Sequence, residues 1–251
     1  MIWLRSLLFY AGLIPLSLVF LPVSLICYPL PYRWRYLIVT RWSHLTLRWL
    51  QLSCDLHHRI HGRDKIPKGP AIILCKHQSA WETLALQGIF PPHVWVLKRD
   101  LLWLPFLGWG LATLEPIAID RKSTRQALQQ VIEQGKKRLG QGRWVTIFPE
   151  GTRVAPGSRR RYGVGAGVLA EHSGYPVILV AHNAGLYWPR RTFKKLPGTI
   201  DVVIGPIIYP KGKSAKEIMK LAKDWIETVS DQLMQQGYPT DDAGACIAQD
   251  N

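Results

Sequence analysis

Acidic residues are scarce. The 251-residue chain has 17 Asp and Glu against 32 Lys and Arg, and carries +15 at neutral pH. The shortage is uneven: from Ser214 onward there are seven acids to three lysines, so the part before it is more basic than the whole. A field of that sign attracts phosphate, whether on a membrane surface, a cofactor or a nucleic acid. No nucleic-acid-binding motif accompanies it, and much of the charge sits beside apolar segments, so nucleic acid is not the expected partner. Cysteine is scarce too. Cys27, Cys54, Cys75 and Cys246 form no paired motif, which argues against a disulfide framework and for a main domain in a reducing compartment. No internal repeat occurs. Gly163-Val-Gly-Ala-Gly167 follows a polar loop instead of a strand and lacks the full spacing of a dinucleotide fingerprint. His57, His58 and His61 have no fourth ligand nearby, so no metal is expected.

Charge is absent altogether from Ser6 to Tyr32. That run is long enough to span a bilayer or to lie deep in one leaflet. Pro15 and Pro22 are expected to kink it and leave carbonyls short of partners. A signal peptide is the competing reading, but no small-x-small cleavage site follows. The next segment, Arg33 to Leu56, is amphipathic, with Arg33, Arg35, Arg41 and Arg48 among Trp, Leu, Ile and Val. It reads as an interfacial helix with Arg toward headgroups, or as a helix packed on the domain. Trp3, Trp34, Trp42 and Trp49 suit a membrane interface, and the heavier Arg flanking after the first helix favours a cytoplasmic domain.

The length fits one α/β domain with an appended segment. The division predicted is a membrane-associating two-helix segment over 1–56, an α/β domain over 57–236 and a disordered tail over 237–251. The domain is read as a mixed β-sheet flanked by helices. Its strands are expected at 57–61, 71–75, 94–97, 116–121, 144–148, 176–181 and 199–208, the last broken by Pro206. Helices are expected to follow Ser79, over 124–139, after Gly163 and over 215–234. Leu101 to Leu114 is very apolar and reads either as a core segment or as a lining for an acyl chain or membrane contact.

Two strand ends carry chemistry. The apolar run Ala71 to Cys75 turns polar at Lys76-His77-Gln78-Ser79 and then becomes helical. In open α/β sheets ligands bind outside the carboxyl ends of the strands. His77 can reach Glu82 only if it sits in the turn and Glu82 in the first helical turn, since five residues on one helix diverge by about 140°. A carboxylate there holds the imidazole in one tautomer and supports a general base. Ser79-Ala-Trp-Glu82 is equally a capping box. The second strand, Trp144 to Phe148, runs into Pro149-Glu150-Gly151-Thr152-Arg153. Gly151 permits close backbone approach, and Arg153 offers a fork suited to phosphate. Arg159-Arg160-Arg161 is a phosphate clamp or a solvated charge run.

Four blocks in this order resemble the glycerolipid acyltransferases. His77 to Glu82 matches their His-x4-Asp, with Glu in place of Asp. Ile119-Asp120-Arg121 and Phe148-Pro-Glu-Gly-Thr-Arg153 match the second and third. Tyr175-Pro-Val-Ile-Leu-Val-Ala181 matches the apolar, Pro-containing fourth. The likeness runs from about Ala71 to Ile208, and Ala118 departs where the family often has a bulky residue. The resemblance implies transfer of an acyl group from a thioester to the sn-2 hydroxyl of lysophosphatidic acid. His77 would act as base, oriented by Glu82, while Arg121, Glu150, Gly151, Thr152 and Arg153 would hold the acceptor. Glu150, which repels phosphate, is expected to position Arg153 or a glycerol hydroxyl. Backbone N–H groups near the helix entry are candidates to meet the oxyanion, with no sequence feature to identify which. The resemblance implies no cofactor, with acyl-coenzyme A or an acyl carrier protein as donor substrate. It implies a lysophospholipid acceptor and the bilayer as partners, at the cytoplasmic face of a bacterial inner membrane. Other lysolipids as acceptor, or a silent membrane-binding module, are the alternatives.

Overall fold

The computed structural model describes residues 1–104, 107–120 and 123–235. The chain starts with three helices, α1 (Ile2–Ile26), α2 (Tyr32–Val39) and α3 (Arg41–Cys54). The domain follows as β1 (Leu56–His61), β2 (Ile72–Cys75), α4 (Trp81–Ile89), β3 (His93–Lys98), α5 (Leu107–Ala112), β4 (Ile117–Ile119), α6 (Thr124–Gly140) and β5 (Trp144–Ile147). It continues with α7 (Gly165–Ser173), β6 (Val177–His182), a single turn α8 (Ala184–Tyr187), β7 (Gly198–Ile208) and α9 (Ala215–Gln235).

The seven strands form one sheet in the order β1-β7-β6-β2-β5-β3-β4. All neighbours are parallel except β6 and β7. The sheet is therefore mixed, as its sequence pattern predicts. Pro206 does not end β7. It falls where the β6–β7 register shifts, between Val177–Ile178 and Val180, so its missing N–H costs no regular ladder bond.

β2 is buried on both faces, which explains its unbroken apolar run. Ile73 and Cys75 point to a core built with α3 and α4, including Leu50, Trp81 and Leu86. Ile72 and Leu74 point to the opposite core with Leu169 of α7 and Ile218, Ala222 and Ile226 of α9. Helices thus cover both faces, while the carboxyl ends of β2, β3, β4, β5 and β6 open at one edge.

α1 runs through Pro15 and Pro22 as one helix. Two other carbonyls along it accept from side chains: Leu13 O from Ser17 Oγ at 2.8 Å, and Phe9 O from the Trp49 indole N–H at 3.1 Å. Its most apolar 18 residues have a mean hydropathy of 2.1, and only 11% of them are buried. The apolar surface is thus left for an environment other than the protein. The second segment differs from the single helix expected over Arg33 to Leu56. It breaks at Thr40, whose backbone turns to ψ −10° and whose hydroxyl bonds back to Tyr36 O at 2.7 Å. Leu101 to Leu114 is not a core segment throughout. Trp103 is 81% exposed, with Leu101, Leu104 and Trp109 also exposed, and α5 packs against α1. The tail expected to be disordered lies outside the described residues.

α7 and α9 meet at Gly167. A Cβ there would lie 2.4 Å from the Ala215 carbonyl oxygen, which is backbone and cannot swing aside. Gly167→Ala is expected to push α9 outward and to lower stability by about 1–3 kcal/mol, read by thermal denaturation in detergent.

Candidate active site

The turn after β2 is fixed before any substrate arrives. Lys76 N–H donates to Val180 O at 3.1 Å, and Val154 N–H donates to His77 O at 2.8 Å. The Ser79 hydroxyl donates to Trp188 O at 2.6 Å. His77 stacks on Phe148, the residue after β5, with ring centroids 4.0 Å apart. These bonds tie the β2 turn to the loops after β5 and β6.

Glu82, on the first turn of α4, is completely buried. Its Oε1 accepts from His77 Nδ1 at 2.8 Å, Gln78 N–H at 2.9 Å and Ser79 N–H at 2.8 Å. The two sequence readings of this carboxylate are therefore true together. It caps the helix start and holds the imidazole with one oxygen. Ser79 is not a full N-cap, since its hydroxyl accepts from Trp81 N–H instead of the third helical residue. Burial would push the Glu82 carboxyl up. The facing His182, the His77 ring and the Ser79 N–H outweigh it and hold the group below the usual glutamate range.

With Glu82 on Nδ1, His77 carries its proton there and offers Nε2 to a substrate. The ring is 16% exposed, enough to be reached from the strand edge. The Gln78, Ser79 and Trp81 N–H groups at the helix start are spent on Glu82 and the Ser79 hydroxyl, which removes these three from the candidates for an oxyanion.

The loop after β5 lies alongside. Gly151 adopts φ +68° and closes a turn with its N–H on Phe148 O at 3.0 Å, a conformation that favours glycine. Thr152 and Arg153 are half-buried in this turn, and Val154 is the residue that bonds His77. Among the described residues the Arg153 guanidinium makes no ion pair, so its charge is available to an anion. Its carbonyl accepts from Arg190 at 2.5 Å, which brings a second cation to the same place. Glu150 does not bond Arg153. It turns inward, buried, toward Lys76 Nζ at 3.5 Å and His77 N–H at 3.5 Å. Burial is the main influence on Glu150 and pushes its carboxyl up to about 7, against the pull of Lys76.

Arg121 lies outside the described residues. Asp120 just before it is held by its N–H on Gln130 at 2.9 Å, at the carboxyl end of β4. Arg159 pairs with Asp231 of α9 at 2.5 Å, while Arg160 and Arg161 are exposed. The β1 histidines go to separate partners: His57 to Asp55, His61 to Asp201, and His58 against Trp81. Among the described residues no three His, Cys, Asp or Glu are grouped to hold a metal.

Sequence reasoning missed Lys76, His182, Arg190 and Glu227. His182 donates from Nε2 to Lys76 O at 2.8 Å and accepts Ala184 N–H at Nδ1, which fixes the backbone ahead of His77. Its place at the carboxyl end of β6 was the available signal.

Comparison with known proteins gives concordant results. The family model named Acyltransferase matches residues 57–183. A 1-acyl-sn-glycerol-3-phosphate acyltransferase of Pseudomonas aeruginosa is 42% identical over 234 residues, covering 91% of each chain. The alpha form of that enzyme from Mus musculus is 30% identical over 159 residues, 62% of this chain and 56% of that one. The crystal structure of the 1-acyl-sn-glycerophosphate acyltransferase of Thermotoga maritima superposes with a TM-score of 0.75 at 22% identity, over 93% of this chain and 98% of that one.

Glu150 generates a stability prediction. Its folded-state value is raised from 4.5 to about 7, so its contribution is fully present below about pH 4.5 and lost as pH rises through about 7. Glu150→Gln is expected to flatten the fall in stability between about pH 5 and 8, measured by urea denaturation at each pH.

Proposed function

We propose, from the premise that this chain belongs to the acyltransferase family, that it transfers a fatty acyl group from an acyl thioester to the sn-2 hydroxyl of lysophosphatidic acid, giving phosphatidic acid. The observation that carries the reading is the His77 Nδ1–Glu82 Oε1 contact of 2.8 Å at the carboxyl edge of β2, with Arg153, which makes no ion pair among the described residues, in the adjoining loop after β5.

The steps follow from that geometry. The acceptor's phosphate pairs with Arg153, and Arg190 adds positive charge beside it. Arg121, outside the described residues, is a further candidate for the phosphate. The sn-2 hydroxyl then presents its proton to Nε2 of His77. As the hydroxyl oxygen attacks the thioester carbonyl carbon, the proton passes to Nε2, and buried Glu82 stabilises the imidazolium. The tetrahedral intermediate collapses by breaking the carbon–sulfur bond. The departing thiolate takes the proton back, leaving His77 neutral. The attacking nucleophile is the acceptor itself, so no covalent enzyme intermediate is required.

The donor is an acyl-coenzyme A or an acyl carrier protein thioester, and no cofactor or metal is needed for the steps above. The acceptor is a membrane lipid. The exposed apolar surface of α1, together with exposed Trp103 and Trp109, supports attachment to a bilayer. The arginines after α1 favour the cytoplasmic face.

Radiolabelled acyl transfer by the purified protein in detergent, with acyl-coenzyme A and lysophosphatidic acid, tests the reading. Labelled phosphatidic acid is the expected product. His77→Ala is expected to lower kcat by about 10²–10⁴-fold. Glu82→Gln keeps an acceptor for the Gln78 and Ser79 N–H groups but removes the charge, so it should keep the fold and lose most of the rate. A wild-type protein that acylates other lysolipids and not this one would overturn the acceptor assignment.

A further inference from the structure

A buried charge triad lies directly behind His77. Lys76 is 2% exposed, and its Nζ donates to both oxygens of Glu227 on α9, at 2.7 and 2.8 Å. The same Nζ lies 3.5 Å from Glu150 Oε1. One cation is therefore shared by two carboxylates, Glu150 after β5 and Glu227 on α9, and Glu227 holds the shorter contacts. Glu150 Oε2 has no hydrogen-bond partner among the described residues, although it is buried.

We propose that Lys76 and Glu227 are positioning residues, which together set how much positive charge the Glu150 carboxylate feels beside the backbone of His77. The proposal rests on the reading above that His77 is the base. Its consequence for the reaction is electrostatic. An ionised Glu150 adds a second negative charge behind His77 and favours the imidazolium that forms when the acceptor loses its proton. Glu227 competes for the Lys76 cation and so limits how far Glu150 is kept ionised. The groups facing Glu150 are Lys76, His77, Cys75 and Tyr162, and Tyr162 also faces Glu227. Burial that pushes Glu150 up to about 7 leaves it responsive to small changes in this balance.

A plain structural staple is the competing explanation, and it makes different predictions. Buried ion pairs contribute little net stability, and replacing both partners by apolar groups is often neutral. A staple would therefore leave the activity of the folded apolar variant intact, whatever stability is lost where Glu150 no longer faces Lys76. A positioning pair would not.

The test is a ¹³C carboxyl titration of Glu150 in the full-length, detergent-solubilised protein, assigned with Glu150→Gln, together with kcat at pH 7.5. Glu227→Gln leaves Lys76 to Glu150 alone, and the Glu150 titration is expected to move down by about one unit or more. The double variant Lys76→Met/Glu227→Leu is expected to move it up by a similar amount and, as the ionised share of Glu150 falls, to lower kcat about threefold. The charge-preserving pair Lys76→Arg/Glu227→Asp is expected to restore both toward wild type. If the folded variants leave the titration and kcat where they are in wild type, the proposal fails. If the double variant does not fold, Glu227→Gln still decides, since an unmoved titration there overturns it. A wild-type protein with no transfer to lysophosphatidic acid would instead remove the acceptor reading, while the titration would still judge the triad.

Discussion

Everything at the catalytic edge depends on one buried carboxylate. Taking Glu82 out of water costs several kcal/mol unless its oxygens are satisfied. Three donors converge on Oε1, and Ser79 N–H also reaches Oε2 at 3.1 Å. Charge-assisted bonds of this kind contribute about 1.5–3 kcal/mol each, so the set offsets the cost. The price of satisfying the charge is geometric. Gln78 and Ser79 must turn their N–H groups inward, which forces the chain after β2 into the one path that leaves His77 facing the strand edge. The helix start, the imidazole tautomer and the direction of His77 are therefore one structural event.

The sheet supplies the rest by register. β5 and β6 flank β2, so their carboxyl ends deliver Glu150–Arg153 and His182–Asn183 to either side of His77. None of those side chains is near His77 in sequence. α9, which contributes no strand and no motif, reaches the site through Glu227 because Ile218, Ala222 and Ile226 seat it on the face of β2 opposite α4. The cation on Lys76 finds its counter-charge on that face and not in solvent.

The elements legible in the sequence are those whose signal is local. β2, β5 and β6 declared themselves as short apolar runs because they are buried on both faces. His77 and Arg153 were legible because each follows such a run within a few residues. Glu82 was half legible, since a cap and an orienting carboxylate predict the same residue, and only coordinates show one oxygen doing both. Lys76 with Glu227, and Arg153 with Arg190, were not legible. Their spacings of 151 and 37 residues carry no periodicity, and the charges would look like solvated surface in a window of any length. The break at Thr40 escaped for a related reason: the amphipathic pattern continues across it, and Thr40 itself stays near helical dihedrals, at φ −72° and ψ −10°. Which helix-start N–H groups are free was not legible, because their number can be read from the sequence and their occupancy cannot.

The apolar helix and the catalytic turn are also held to each other by few steps. Lys195 N–H donates to Ser6 Oγ of α1 at 2.9 Å, and its Nζ donates to Tyr10 OH at 2.6 Å. The ammonium is buried among Tyr10, Trp188 and Phe193 rings, and burial lowers it to about 8. Phe9 of α1 packs edge-on against Trp188 at 5.4 Å, and the Trp188 carbonyl accepts from Ser79, two residues after His77. A cation enclosed by aromatic faces resists sliding, because any shift loses both its hydrogen bonds and its ring contacts. A rotation of α1 about its axis would therefore be felt at Ser79. Ser6, Phe9 and Tyr10 of α1 thus reach the turn after β2 through Lys195 and Trp188, and the first helix and the turn that carries His77 form one packed unit.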